Sequence, residues 1–181
     1  MINLNNKKIQ AILAYFFLNN RRSLYLKELS ESFNIDKGNL SRYLASLVSE
    51  GVLKSEDKGK QKYFSLNREY KFLSELKKMM SADTMPELLL KKSFAKINGL
   101  DSAYIFGSYA DGKFSDDSDI DVLLIGSHDH ISIRREIGVL QKRLGREINA
   151  IDYTKEEYNK KVKEKGGFLA RVVASPKIIL K

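Results

Sequence analysis

Two apolar segments that flank a polar loop constrain the fold of this chain more than any other feature of its sequence. Residues 101–106 have the composition of a β-strand and run directly into Gly107-Ser108, and a second apolar segment, residues 122–125, follows Asp119-Ile120-Asp121. Ten residues separate Ser108 from Asp119. Side chains two apart on a strand point to the same face, so the two aspartates share a face. The sequence therefore predicts a strand edge at which two carboxylates converge.

The residue types at this edge are suited to holding phosphates and a metal ion. A strand that ends in Gly107-Ser108 lets backbone N–H groups and a hydroxyl approach phosphate oxygens, because glycine has no side chain to block them. Paired carboxylates such as Asp119 and Asp121 suit Mg²⁺, which takes its other ligands from water and substrate phosphates. Taken alone, the segment SDDSDID could equally be a solvated acidic loop. We expect Asp116 and Asp117 to stay in that loop and to coordinate nothing.

The whole segment, YIFGSYADGKFSDDSDIDVLLIG, resembles the nucleotidyltransferase fold of the DNA polymerase beta superfamily, particularly its minimal nucleotidyltransferases. Over about residues 84–181 the resemblance implies a small mixed sheet with flanking helices and a nucleotide-binding cleft. It also implies transfer of a nucleoside monophosphate from an NTP, expected to be ATP, with release of pyrophosphate. In that scheme Gly107 and Ser108 hold the triphosphate, and Asp119 and Asp121 are the catalytic ligands of Mg²⁺ or Mn²⁺.

A third carboxylate, which this superfamily usually supplies from a later strand, is not clearly present. The expected strand is REINAIDY, and the family's aspartate position falls on Asn149, whose amide cannot accept a proton. Asp152 lies on the opposite face of the strand and Glu147 lies nearer its start, so either could substitute only in another register. The domain is then slow, uses another group, or only binds nucleotide.

The amino-terminal half carries most of the positive charge. Residues 1–80 contain 15 Lys and Arg against 8 Asp and Glu, whereas the rest of the chain is nearly balanced. Such an excess indicates attraction to a polyanion such as nucleic acid, the alternative being a lysine-rich solvated face.

Apolar residues at helical spacing predict three helices in this half, followed by a hairpin. The first helix carries Ile9, Ile12, Leu13, Phe16 and Phe17 on one side. The third opens after Asp36, buries a stripe of leucines, and presents a polar face formed by Lys37, Asn39, Ser41, Arg42 and Tyr43. The hairpin flanks Lys58-Gly59 and brings together Lys58, Lys60 and Lys62, which could meet a sugar-phosphate backbone.

The segment LYLKELSESFNIDKGNLSRYLASLVSEGVLKSEDKGKQKYFSLN resembles the winged helix-turn-helix of the arsenic-sensor and multiple-antibiotic-resistance repressor families. The resemblance implies binding of double-stranded DNA, commonly as a homodimer. A following helix, residues 69–80, would pair with its symmetry mate or pack on the first helix of its own chain. The alternatives for the whole unit are a plain helical bundle or a module that binds protein.

The sequence as a whole predicts an α+β chain with two domains. We place a winged helix-turn-helix in residues 1–82 and a nucleotidyltransferase-like domain in residues 83–181. The absence of cysteine excludes disulfides, zinc-thiolate sites and thiol nucleophiles. No segment approaches the ~20 apolar residues of a membrane span, so we expect a cytoplasmic protein without a membrane partner. His128 and His130 are expected on the surface.

Three hypotheses for function follow. The first is a DNA-binding regulator that uses a nucleotide. The second is an enzyme that places a nucleotide on a protein, as a resemblance to antitoxin-type minimal nucleotidyltransferases suggests, or on a small molecule. The winged helix would then serve localisation or autoregulation. The third is that both domains are scaffolds for assembly.

Overall fold

The computed structural model describes residues 2–80, 85–115 and 118–181, and the chain divides into two compact units. The first comprises Met1–Met85 with Lys142–Gly145, and the second comprises Pro86–Gln141 with Arg146–Lys181. The domain boundary that the sequence predicts, between residues 82 and 83, lies outside the described residues. Asp116 and Asp117 lie outside them too, so the expectation for these two aspartates stays a prediction.

The first unit combines helices with a small antiparallel sheet. Its described elements are α1 (Lys7–Leu18), β1 (Ser23–Tyr25), α2 (Leu26–Phe33), α3 (Lys37–Ser49), β2 (Leu53–Lys58), β3 (Gln61–Leu66) and α4 (Leu73–Met79). The strand order in the sheet is β1-β3-β2. The predicted helices and hairpin are therefore present, whereas β1 was not predicted and α4 begins later than expected. The interpretation of this unit as a winged helix-turn-helix stays a prediction.

Helical periodicity accounts for the core of the first unit. The apolar stripe predicted for α1 is buried, as are Leu40, Leu44 and Leu47 of α3. Asp36 caps α3 by accepting a hydrogen bond from the Asn39 backbone N–H at 2.9 Å. On α4, Leu76 is buried, but Phe72 and Met79 at its two ends are 51% and 68% exposed. The homodimer that the sequence predicts also stays a prediction.

The second unit is a mixed sheet with flanking helices. Its described elements are α5 (Pro86–Phe94), β4 (Leu100–Phe106), α6 (Gly107–Ala110), β5 (Ile120–Gly126), α7 (His130–Leu144), β6 (Ile148–Tyr153), α8 (Lys155–Lys161), α9 (Phe168–Ala174) and β7 (Ile178–Ile179). The strand order is β6-β5-β4-β7. β4 is antiparallel to both β5 and β7, whereas β5 and β6 are parallel. The mixed α+β architecture that the sequence predicts is confirmed.

The central strand β5 positions the rest of this unit. All but one of its residues are buried, and Phe106, Leu123 and Ile125 pack with Leu169 and Val172 of α9. Parallel strands need a long crossover, which α7 supplies between β5 and β6. Thr154 and Glu157 form the capping box that begins α8, as the sequence predicts.

None of the described helices combines the length and the apolar character that crossing a lipid bilayer would require.

Candidate active site

The strand registers bring residues from three neighbouring strands to one edge of the sheet. Asp121 lies opposite Phe106 of β4 and opposite Asn149 of β6. Asp119 immediately precedes β5 at the same edge. Since Gly107 directly follows Phe106, the glycine-serine corner and the aspartates meet where β4 ends and β5 begins.

Asn149 contacts the aspartate pair directly. Its Nδ2 donates a hydrogen bond to Asp119 Oδ2 at 3.1 Å. The register therefore places the Asn149 amide beside the aspartate pair, and its assignment to the third-carboxylate position stays a prediction. Asp152 lies opposite Leu124, three residues farther along β6, and cannot reach this edge in that register. Glu147 precedes β6 and is exposed.

The electrostatics of the edge favour a bound cation. Partial burial raises the pKa of Asp121, a side-chain hydrogen bond from Asn149 lowers it, and the nearby charge of Asp119 raises it again, with a net upward shift. The ionised pair is therefore held at a cost in free energy, because burial and like-charge repulsion both disfavour it. A divalent cation between the two carboxylates would remove that cost.

Gly107 makes close approach possible at the corner. Its φ is +70°, in the left-handed region, and a Cβ at this position would lie 2.5 Å from Asp121 Oδ2. Only glycine satisfies both conditions without a shift of the backbone or of the carboxylate. The corner thus presents bare backbone directly beside the aspartate pair.

Comparison with known proteins decides the family. Residues 89–177 match the family described as the nucleotidyltransferase domain. A curated protein of Methanocaldococcus jannaschii, "Putative protein adenylyltransferase MJ0604", is 36% identical over 74 residues, covering 36% of this chain and 74% of that protein. The chain belongs to the nucleotidyltransferase domain family.

Solved structures resemble about half of the chain at lower identity. The crystal structure of a toxin-antitoxin with AMP-PNP is 23% identical, covers 52% of this chain and 72% of that chain, and has a TM-score of 0.39. A tri-AMPylated Shewanella oneidensis HEPN toxin in complex with MNT antitoxin is 19% identical, covers 52% and 71%, and has a TM-score of 0.32. Both TM-scores are low, so nothing about the substrate of this chain follows from them.

An aromatic network supports the loop of the nucleotidyltransferase domain that carries the corner. Tyr109 donates a hydrogen bond to Glu87 Oε2 at 2.7 Å, and its ring meets Phe114 edge-on, with centroids 4.9 Å apart. The Arg146 guanidinium lies over the Phe114 ring at 5.1 Å. Burial, and then the bond to Glu87, raise the pKa of Tyr109, which keeps it a neutral donor. The sequence analysis missed this network, since its members are far apart along the chain.

The histidines of the nucleotidyltransferase domain only partly match expectation. His130 is exposed, but His128 is buried, so the surface assignment of His128 was wrong. Its Nε2 lies 2.9 Å from Asp152 Oδ1. The local sequence around His128 does not reveal this partner on β6.

In the first unit, the predicted DNA-contacting residues of α3 differ in exposure. Lys37, Ser41 and Arg42 are exposed, as expected. Tyr43 is half-buried and packs against the core, which the sequence does not predict, and its contact with DNA stays a prediction. Asn39 donates to Asp36 and accepts from Arg42, so its amide is already engaged within the helix.

Lys58, Lys60 and Lys62 of the hairpin are all exposed, but two of these three have carboxylate neighbours. Lys58 Nζ lies 3.1 Å from Glu56 Oε2, and Lys62 Nζ lies 4.0 Å from Asp57 Oδ1. Lys60 lies in the turn between β2 and β3, beside Gly59. Local ion pairs therefore reduce the positive potential that the sequence predicts for this hairpin.

Replacement of Gly107 by alanine tests the contact at the corner. We expect Gly107→Ala to lower the free energy of unfolding by about 1–3 kcal/mol, because it combines an unfavourable φ with a clash against Asp121. Gly112→Ala is the matched control, since Gly112 has φ +71° but no atom within 4 Å of an added Cβ. Urea unfolding of both variants measures the difference, and equal losses would contradict the contact with Asp121.

Proposed function

We propose that this chain transfers AMP from ATP to a hydroxyl group of a protein. The observation that carries the proposal is the convergence of Asp119 and Asp121 beside the bare backbone of Gly107. The class of acceptor is suggested by the curated relative, whose name describes a protein adenylyltransferase. This is the enzyme hypothesis of the sequence analysis rather than the regulator hypothesis.

The donor set fits a hard divalent cation such as Mg²⁺ or Mn²⁺. Asp119 and Asp121 supply carboxylate oxygens only, and their mutual repulsion with the raised pKa of Asp121 indicates a site that is stabilised by positive charge. When bound there, the metal would polarise the α-phosphate and the acceptor hydroxyl.

The residues of the chain mainly position the reactants. Gly107 and Ser108 would hold the triphosphate through backbone N–H groups and a hydroxyl, and Asn149 holds the Asp119 carboxylate in place by its hydrogen bond. The acceptor oxygen forms a bond to the α-phosphorus, the bond between the α-phosphorus and the bridging oxygen breaks, and pyrophosphate leaves. The hydroxyl proton passes to solvent, because Asn149 cannot accept it.

Labelled ATP tests the reaction directly. The full-length protein is incubated with Mg²⁺ and cell extract, once with ATP labelled at the α-phosphate and once with ATP labelled at the γ-phosphate. We expect protein bands labelled only from the α-phosphate. Label from the γ-phosphate would indicate a kinase instead, label confined to small molecules would move the acceptor to that class, and no label from either would contradict the proposal. A cytoplasmic location, where ATP is supplied, stays a prediction.

As a second candidate function, we propose that the first unit is a winged helix-turn-helix that binds double-stranded DNA and localises or autoregulates the enzyme. The exposed Lys37, Ser41 and Arg42 of α3, followed in the chain by an exposed lysine-bearing hairpin, favour it.

A mobility-shift assay on the chain's own upstream region tests DNA binding. We expect affinity to fall steeply with salt, and the logarithmic salt slope to become less steep by about 1 for each phosphate-contacting lysine removed. Lys60→Ala should have a larger effect than Lys58→Ala or Lys62→Ala, which already have carboxylate neighbours. Lys165→Ala, at an exposed position in the second unit, is the control. Absent or salt-insensitive binding would contradict this function.

A further inference from the structure

Two histidines and an aspartate form a cluster outside the candidate active site. His128 follows β5, His130 begins α7, and Asp152 lies on β6. His128 Nε2 is 2.9 Å from Asp152 Oδ1, and His130 Nδ1 is 3.6 Å from Asp152 Oδ2. One ligand atom from each of the three residues lies within 4.8 Å of the others.

The topology separates this cluster from the aspartate pair. Asp119 and Asp121 lie at the beginning of β5, whereas His128 follows its end. Asp152 is three residues beyond Asn149 on the parallel strand β6, or roughly 10 Å of extended chain. The cluster is therefore a distinct group of side chains at the other end of the same strand pair.

We propose that His128, His130 and Asp152 bind a divalent transition-metal ion, for which Zn²⁺ is the best fit. Two imidazoles and one carboxylate are a donor set that suits zinc, whereas Mg²⁺ prefers oxygen ligands throughout. Ligand atoms of a tetrahedral zinc shell lie ~3.3 Å apart, given metal–ligand distances of about 2.0–2.1 Å. The two imidazoles lie 2.9 and 3.6 Å from different oxygens of the Asp152 carboxylate, and the three ligand atoms lie within 4.8 Å of one another. To reach a tetrahedral shell, the exposed His130 would have to turn towards His128.

Burial is graded across the cluster in a way that lets an ion enter. The His128 side chain is 1% exposed, Asp152 is 30% exposed and His130 is 70% exposed. The inner ligand is thus fixed by packing, while the outer side is open to solvent, from which water can complete the coordination shell.

The hydrogen bond to Asp152 satisfies only one ring nitrogen of His128, since its buried Nδ1 has no hydrogen-bond partner among the described residues. Nor does that bond explain why a second imidazole faces the other carboxylate oxygen of the same aspartate. A three-ligand metal site accounts for both, and an ion there would tie the first residue of α7 to β6.

Zinc titration of the full-length protein by calorimetry tests the site. We expect one Zn²⁺ per chain at this cluster, and Co²⁺ in its place should give the visible absorption bands of a tetrahedral nitrogen–oxygen site. His130→Ala and Asp152→Asn should each weaken Zn²⁺ binding by about tenfold or more. Glu156→Gln makes the same change of charge as Asp152→Asn at an exposed position on α8, and should leave the affinity unchanged.

Two further measurements distinguish zinc binding at this cluster from misfolding of a variant and from binding at the aspartate pair. Because His130 is exposed, His130→Ala should fold as the wild type does, and Zn²⁺ should raise the Tm of the wild type but not of this variant. Zinc binding should also survive Asp121→Asn. The proposal is overturned if no Zn²⁺ binds, if both cluster variants bind it as tightly as the wild type, or if binding is lost only in Asp121→Asn.

Discussion

Asp121→Asn should lower the rate of nucleotide transfer by about 10²-fold or more while leaving the folded protein at least as stable as the wild type. The rate falls because the neutral amide removes one of two charges that hold the cation in a pre-arranged site. The stability does not fall, because the raised pKa of Asp121 means that the folded state disfavours the ionised carboxylate. Transfer rates in saturating ATP and Mg²⁺, together with urea unfolding without Mg²⁺, measure the two effects.

The pH dependence follows from the same shift. A carboxyl whose pKa is raised on folding stabilises the folded state fully when the pH is below its unfolded pKa. This contribution is lost as the pH rises through the folded pKa. At neutral pH the wild type therefore lacks this stabilising contribution. The Asp121→Asn variant avoids the cost in free energy of burying the charged carboxylate. Mg²⁺ binding by the wild type should weaken as the pH falls through the raised pKa of Asp121, above the ordinary aspartate value of 3.8.

Asp101→Asn is the matched control for this prediction. Asp101 lies on β4 of the same sheet, pairs with Lys155 at 2.9 Å and is partly exposed, so its substitution makes the same change of charge away from the corner. The transfer rate of the Asp101→Asn variant should stay within about twofold of the wild-type rate. An unchanged rate in Asp121→Asn, or an equal loss in Asp101→Asn, would remove Asp121 from the chemistry.

Asn149→Asp should raise the transfer rate, by about 10-fold to 10²-fold. A third carboxylate at this position would accept the proton of the attacking hydroxyl, a contribution that is typically worth 10²–10⁴-fold in rate. The added charge should also destabilise the protein without Mg²⁺ and make its stability more dependent on Mg²⁺, because three carboxylates would then repel one another. Initial rates over a Mg²⁺ series and Tm with and without Mg²⁺ measure both effects.

Two variants show whether the carboxylate itself is responsible. Asn149→Ala removes the hydrogen bond to Asp119 without adding a proton acceptor, so it should not raise the rate. Glu147→Gln should leave the rate near that of the wild type, since the exposed Glu147 precedes β6. If Asn149→Asp is no faster than the wild type, or if Glu147→Gln is strongly impaired, the assignment of the third position is wrong.

Local periodicity predicted those parts of the fold whose burial is set within one element. The stripe of Leu40, Leu44 and Leu47 and the apolar face of α1 are buried as expected, because a 3.6-residue repeat leaves a helix only one face to bury. Tyr43 departs from the pattern because an amphipathic ring beside that stripe can cover the core. α7 was missed, although Ile133, Ile137 and Leu140 have helical spacing and are buried.

The candidate site was predictable in its residues but not in its contacts. Asp119 and Asp121 were predicted from a short spacing and from alternation along a strand, whereas Asn149 was picked out only by the resemblance to the superfamily. The contact between Gly107 and Asp121 and the hydrogen bond between His128 and Asp152 depend on strand pairing between distant segments. Such pairing is set by the packed sheet, so no local pattern encodes it.

Asn149, which lies beside Asp121, can be exchanged for an aspartate in two simple ways. Asparagine and aspartate codons differ by one base, and hydrolysis of the side-chain amide makes the same exchange in the finished protein. If Asn149→Asp raises the transfer rate as expected, a slower and a faster form of the site are separated by one base change or by one deamidation. The rate would then change between the two forms without any change to the sheet.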